Sequence, residues 1–226
     1  MDHAKIEDAL ILAAGRGSRM RPLTDVIPKP MAPFAGGTLI RNGIARLAGS
    51  VPRVHVTVGY KAAMLASHVV ECGVTSIHNT EGKPNGWWIG NTLLGLIDAP
   101  IFVLTCDNVV DLDFDRLSED YFSKGAPAGM LVPVEPVQGL EGDFIFTDGD
   151  YITKLDRNET APIYASGIQI LNPFRIRNLV GASSDFYEIW QKLIAAKELK
   201  VSSVYPEQWF SVDTLEQLSV VEQVGS

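Results

Sequence analysis

The chain has 226 residues, enough for one large domain or two small ones, and 46% of them are hydrophobic, which supports a sizeable buried core. Its 19 Lys and Arg stand against 27 Asp and Glu, and the formal net charge of -8 argues against nucleic acid as a partner while leaving room for a local basic site. The start, "MDHAKIEDAL", has no basic segment followed by an apolar one, and the longest apolar runs fall far short of the ~20 residues a spanning helix needs, so no membrane partner and a cytoplasmic location are expected.

In chain order, "ALILA" (9–13), "VHVTV" (54–58), "VTSI" (74–77) and "IFVLT" (101–105) read as buried strands. Between them, "TLIRNGIARLAG" and "YKAAMLASHVVECG" carry apolar residues at i, i+3 and i+4 and end on Gly, as helices often do. This alternation predicts an α/β fold with a mostly parallel sheet covered by helices on both faces and ligands held beyond the carboxyl ends of the strands. The later runs "AGMLVPV", "GDFIFTD", "DYITKLD" and "IYASGIQIL" are joined by turn signals such as Asp148-Gly149 and predict an antiparallel or mixed extension. "SSDFYEIWQKLIAAKE" reads as a helix capped by Ser183 or Ser184, followed by a strand "KVSSVY" and a closing helix in "DTLEQLSVVEQ". No repeat or linker breaks the chain, so a single domain over 1–226 is expected, with about 1–125 and about 126–226 as its two halves. Cys72 and Cys106 lie beside or within apolar runs and read as free thiols, and His3, His55, His68 and His78 lack metal-ligand spacing.

The segment "LAAGRGSRMRPLTDVIPKPM" (12–31) follows the first strand. From Gly15 to Pro30 it holds Arg16, Arg19, Arg21 and Lys29 against Asp25 alone, so it is basic within an acidic chain. Gly15 and Gly17 let the backbone turn and approach a ligand, and oriented N–H groups in such a loop form an anion-binding concavity. The Gly-x-x-x-x-Gly-Lys-Ser/Thr pattern is absent, and Gly15-Arg16-Gly17-Ser18-Arg19-Met20 lacks the third Gly of a dinucleotide fingerprint.

The stretch resembles the signature of the sugar-phosphate and related nucleotidylyltransferases: Gly15, Gly17, Arg19, Pro22, Leu23, Thr24, Pro28, Lys29 and Pro30 fall at that family's spacing. The resemblance implies a Rossmann-like, three-layer α/β/α fold with a mixed sheet, that of the nucleotide-diphospho-sugar transferases. It also implies a nucleotide site at Leu12, Ala13, Ala14, Gly15, Arg16, Gly17, Ser18, Arg19 and Gly59. Arg19 is expected on the β and γ phosphates and Lys29 on phosphate near the reacting centre, with Asp107 as the third catalytic residue.

Asp107 directly follows "IFVLTC", at the ligand-binding edge of the sheet, and Asp213 lies between "WFSV" and a helix. By the resemblance these two carboxylates hold Mg²⁺, an ion that prefers oxygen ligands. A plain helix cap is the competing reading of Asp213. Trp87 and Trp88, between Gly86 and Gly90, offer rings that suit a base, a sugar or a quaternary ammonium group, with core or lid packing as the competing reading, and Trp88 is taken as an acceptor contact; the resemblance places further acceptor contacts at Asn91, Asp156, Arg157 and Gly167. "NTLLGL" and "CDN" also resemble elements of the choline-phosphate and aminoalkylphosphonate cytidylyltransferases.

The implied reaction is attack by an acceptor phosphate on the α-phosphorus of a nucleoside triphosphate, releasing pyrophosphate, with a sugar 1-phosphate as the acceptor. Phosphocholine or a phosphonate with CTP is the alternative. A glycosyltransferase using "DLDFD" and a catalytically silent nucleotide-binding module are the rival functions. At this length the chain is expected to be the catalytic domain alone; the base, the acceptor and the oligomeric state are left open.

Overall fold

The computed structural model describes residues 5–137 and 142–224, with backbone alone for 222–224, so His3 lies outside the described residues. Strand β1 (Asp8–Leu12) is buried along nearly its whole length, as an apolar run covered on both faces should be. The basic segment that follows holds a helix α1 (Leu23–Val26) and two short 3-10 turns, Ser18–Met20 and Lys29–Met31, where an irregular loop was expected. A small hairpin of β2 (Pro33–Phe34) and β3 (Gly37–Thr38) leads into α2 (Leu39–Ala48), capped by the Thr38 hydroxyl on the Arg41 N–H. Next come β4 (Arg53–Val58), α3 (Ala62–Glu71), β5 (Ser76–Asn79) and α4 (Trp87–Asn91).

The chain continues through β6 (Ile101–Thr105), β7 (Asn108–Asp111), α5 (Phe114–Ser123) and β8 (Gly129–Val134). Strands β9 (Phe144–Asp148) and β10 (Tyr151–Asp156) form the hairpin that Asp148-Gly149 predicted, with Gly149 at φ 57. Strand β11 (Tyr164–Leu171) leads into α6 (Pro173–Val180), then α7 (Phe186–Ala195), β12 (Leu199–Val201), β13 (Gln208–Ser211) and α8 (Leu215–Val224).

Two expectations are corrected here, and one helix is added. The cap of α7 is Asp185, whose carboxylate accepts from the N–H groups of Tyr187 and Glu188, and not Ser183 or Ser184. Strand β12 is shorter than expected, ending at Val201: the Ser202 N–H makes a last bond to the Leu131 carbonyl, and the Ser202 hydroxyl then accepts from the Val204 N–H and donates to Asp120, turning the chain away. Helix α6 was not foreseen, although Asn172 as cap, Pro173 at the first position and Gly181 after the end are all present.

The molecule comprises two compact units. The loop-bearing unit takes Glu7–Lys83, Leu104–Val110 and Gln208–Ser226. Its β4 runs parallel to both β1 and β5, in register Leu10↔His55 and His55↔Ser76. Buried Ile40, Ile44 and Leu47 on α2, with Leu65 and Val69 on α3, supply the apolar helix faces of this unit.

The second unit takes Met1–Ile6, Pro84–Val103 and Asp111–Glu207. Here β11 pairs antiparallel with the first residues of β6 and with β8, β8 pairs parallel with β12, and β10 pairs antiparallel with β12 and β9. This pairing is the mixed extension expected from the turn-rich second half. Among the described residues no helix is long and apolar enough to cross a membrane.

Candidate active site

Residues 13–17 of the loop-bearing unit lie outside any helix or strand. The Ala13 N–H donates to the buried Thr57 hydroxyl at 3.0 Å, and the Ala14 carbonyl accepts from the Tyr60 N–H at 3.0 Å. The N–H groups of Gly15, Arg16 and Gly17 donate to nothing among the described residues. Three amides in succession that lack an acceptor can serve as an anion-binding concavity. The Ala13 N–H is committed to Thr57, so of its backbone groups the carbonyl is the one left to face a ligand.

Two glycines make this path possible. Gly17 is left-handed (φ 64), and a Cβ on it would lie 2.6 Å from Lys29 Cβ. A Cβ on Gly59 would lie 2.5 Å from the Ala14 carbonyl oxygen, so Gly59 shapes the loop from below. Leu12 ends β1, and the Gly17 carbonyl beside Ser18 accepts from the Thr24 hydroxyl at 3.0 Å. Arg16 stacks over the Tyr60 ring at 5.1 Å, and the Tyr60 hydroxyl donates to the Thr24 carbonyl at 2.9 Å. Thr57 and Tyr60 went unnoticed in the sequence because their partners lie some forty residues away.

The expected carboxylates do meet. Asp107 precedes β7 and Asp213 follows β13; these strands pair, and the Val212 N–H donates to the Asp107 carbonyl at 3.0 Å. Lys29 Nζ lies 2.6 Å from Asp107 Oδ2 and 2.8 Å from Asp213 Oδ1, and Arg19 Nη2 lies 2.9 Å from that same Asp213 oxygen. Burial pulls the Lys29 pKa down, but the Asp107 charge, with hydrogen bonds to both carboxylates, leaves it raised above the ordinary lysine value. The adjoining Cys106 thiol is pushed up to about 12 by burial and then by Asp107, which makes it an inert, free cysteine.

Asp213 is not the helix cap. The Thr214 hydroxyl accepts from the Gln217 N–H at 3.2 Å, and Gln217 Oε1 accepts from the N–H groups of Asp213 and Thr214 at 2.7 and 3.0 Å. This Thr-x-x-Gln box caps α8 and leaves the Asp213 carboxylate to the cations. Beneath it, Met20, Ala32, Phe34 and Leu39 pack with Val212, Leu218 and Val221 in one apolar cluster. That cluster joins the basic segment to the late helix, which is why residues so distant in the chain converge.

The proposed acceptor residues all belong to the second unit. Trp88 is 1% exposed, with an indole N–H that finds no acceptor among the described residues, and Asn91 donates to the Trp87 carbonyl at 2.8 Å. Asp156 pairs with Lys154 at 2.9 Å and accepts from the Asn158 and Glu159 N–H groups; the Lys154 hydrogen bond, followed by these amides, lowers its pKa to about 2. Arg157 pairs with Asp143 at 2.9 Å, and Gly167 takes φ 82 where the β11 register shifts.

The nucleotidyl transferase family model matches residues 8–141, and the chain belongs to that family. It is 30% identical over 179 residues to a mannose-1-phosphate guanyltransferase of Candida albicans, covering 73% of this chain and 49% of the relative. It is 30% identical over 183 residues to a glucose-1-phosphate adenylyltransferase of Kocuria rhizophila, covering 69% and 44%. The chain thus spans about half the length of the curated relatives it matches. Among solved structures, the inositol-1-phosphate CTP transferase from T. maritima shares the fold, with a TM-score of 0.76, 19% identity and coverage of 98% and 96%.

Proposed function

We propose that the chain transfers a nucleotidyl group from a nucleoside triphosphate to a sugar 1-phosphate and releases pyrophosphate. The observation that carries this reading is the convergence of Arg19, Lys29, Asp107 and Asp213 beside three unpaired amides. The family supports it, as do the names of the two relatives, each of which refers to a sugar 1-phosphate.

The bond formed joins an acceptor phosphate oxygen to the α-phosphorus, and the bond broken releases pyrophosphate. A phosphate monoester has its second pKa near about 6, so the nucleophile is already ionised and no side chain needs to take a proton. The chain's work is then to position two anions and offset their charge. The amides of Gly15 to Gly17 and the Arg19 guanidinium hold the triphosphate, and Lys29 screens the reacting phosphates.

Two carboxylate oxygens within reach of one nitrogen are a hard-oxygen donor set, the kind Mg²⁺ takes together with phosphate and water. The pair fits that ion, and Asp107 and Asp213 are the residues that would hold it. When bound, Mg²⁺ supplies charge neutralisation on the phosphates.

Trp88, Asn91, Asp156, Arg157 and Gly167 are carried forward as acceptor contacts, each to be tested by the acceptor KM of its variant. The reading is tested by screening ATP, CTP, GTP and UTP against sugar 1-phosphates, phosphocholine and phosphonates with Mg²⁺, following pyrophosphate. Release that depends on a sugar 1-phosphate is expected. Nucleotide binding without release on any acceptor would make the chain a silent nucleotide-binding module, and release on phosphocholine or a phosphonate alone would move it to the cytidylyltransferase branch.

A further inference from the structure

Lys29 does more here than wait for a phosphate. Its side chain is 9% exposed, and Asp107 and Asp213 are its ion-pair partners among the described residues. Its stem is confined by Gly17, where even one added carbon would lie 2.6 Å from Lys29 Cβ. With Arg19 on Asp213, two carboxylates face two cations, so the cluster carries no net formal charge before any ligand arrives.

A divalent cation entering alone would meet a neutral cluster and leave it doubly positive. It would also strip a buried ammonium of its carboxylates with no anion to replace them, and both effects oppose entry. A triphosphate arriving with the cation changes this balance: it brings excess negative charge and gives the ammonium a new partner.

We propose that Lys29 is the internal counter-ion of the two carboxylates, so that the divalent cation enters only together with the triphosphate, whose phosphates take over the ammonium. The inference rests on reading Asp107 and Asp213 as the cation site. Linkage requires the effect to be reciprocal: the factor by which nucleotide tightens cation binding is the factor by which the cation tightens nucleotide binding, typically about 5- to 150-fold.

Thermal melting with Mn²⁺ as the probe tests it without any need for turnover. Mn²⁺ alone is expected to leave the wild-type midpoint within about 1 °C, whereas Mn²⁺ with nucleotide raises it by more than the two do separately. Lys29→Met, which leaves the carboxylates without their ammonium, is expected to melt lower and to regain about 4 °C or more with Mn²⁺ alone. An equal response of both proteins to Mn²⁺ alone overturns the proposal.

If Lys29→Met does not fold, Mn²⁺ paramagnetic resonance on the wild type decides: tight Mn²⁺ binding without nucleotide contradicts the proposal, and binding only with nucleotide supports it. An Asp107→Asn control, silent throughout, ties the response to this pair. If neither wild type nor Lys29→Met responds to Mn²⁺ even with each of ATP, CTP, GTP and UTP, the cation-site reading itself fails and the inference falls with it.

Discussion

The two units use charge in opposite ways. In the loop-bearing unit two carboxylates share one nearly buried ammonium, and a guanidinium joins them. In the second unit the residues proposed for the acceptor carry charges that are paired locally: Arg157, with a side chain 75% exposed, on Asp143, and Asp156 on Lys154 and its own turn. Exposed pairs of this second kind contribute about 0–1 kcal/mol and often nothing measurable. A buried ammonium shared by two carboxylates is the kind of charge cluster that functional sites favour, and it is on this contrast that the proposed reaction is assigned to the loop-bearing unit.

The contrast is broken first by Asp107→Ala. Turnover should fall by about 10³-fold with the circular dichroism spectrum unchanged. A wild-type rate would remove Asp107 from the site.

Gly17→Ala comes next, because a left-handed φ disfavours any side chain there by roughly 1–2 kcal/mol and the new carbon would push on Lys29. The predicted loss is about 100-fold in kcat, since a small displacement of a positioned group is enough to cause it. Retained activity would show that Lys29 has freedom its packing denies. Arg19→Ala should lower kcat/KM for the triphosphate by about 10- to 100-fold while leaving the acceptor KM alone. An unchanged triphosphate kcat/KM would take Arg19 off the phosphates.

A third kind of charge lies at the start of β1. Burial would raise the Asp8 pKa, but hydrogen bonds from Arg53 and His55 hold its carboxyl well below the usual range. A depressed folded pKa means that this stability is present above the unfolded value of about 3.9 and is lost as pH falls below it. Asp8→Asn should therefore cost about 1–3 kcal/mol in urea unfolding at pH 7 and soften the acid limb of the stability curve, with kcat unchanged. Identical acid limbs for the two proteins would show that the network carries no such linkage. The smallest effect is expected from Arg157→Ala: stability within about 0.5 kcal/mol and an acceptor KM raised about threefold. A larger change in the triphosphate KM than in the acceptor KM would reassign that residue.

Much of this was legible in the chain. Strand β6 matched its apolar run residue for residue, helix α2 followed its spacing from a Thr38 cap to Gly49, and helix α3 followed its own from Lys61 to Cys72, one residue before Gly73. The loop's basic residues and the carboxylate Asp107 at a strand end were singled out in the sequence, and the fold brings Lys29 and Asp107 into contact. What stayed hidden depends on distant contacts: the Ala13–Thr57 bond, the Lys29 bridge and the apolar cluster under α8 join segments that no local pattern links. The role of Asp213 lay between these cases. Thr214 and Gln217 spell a capping box that frees the carboxylate, and reading that box would have settled the cap in the sequence.

The central claim is transfer of a nucleotidyl group, and following the α-phosphorus tests it most directly. With α-labelled nucleoside triphosphate, Mg²⁺ and a sugar 1-phosphate, the label should appear in a nucleoside-diphosphate sugar with unlabelled pyrophosphate released in equal amount, and Asp107→Ala should slow both by about 10³-fold. Label recovered only as nucleoside monophosphate, or remaining in the triphosphate with every acceptor, would contradict the account.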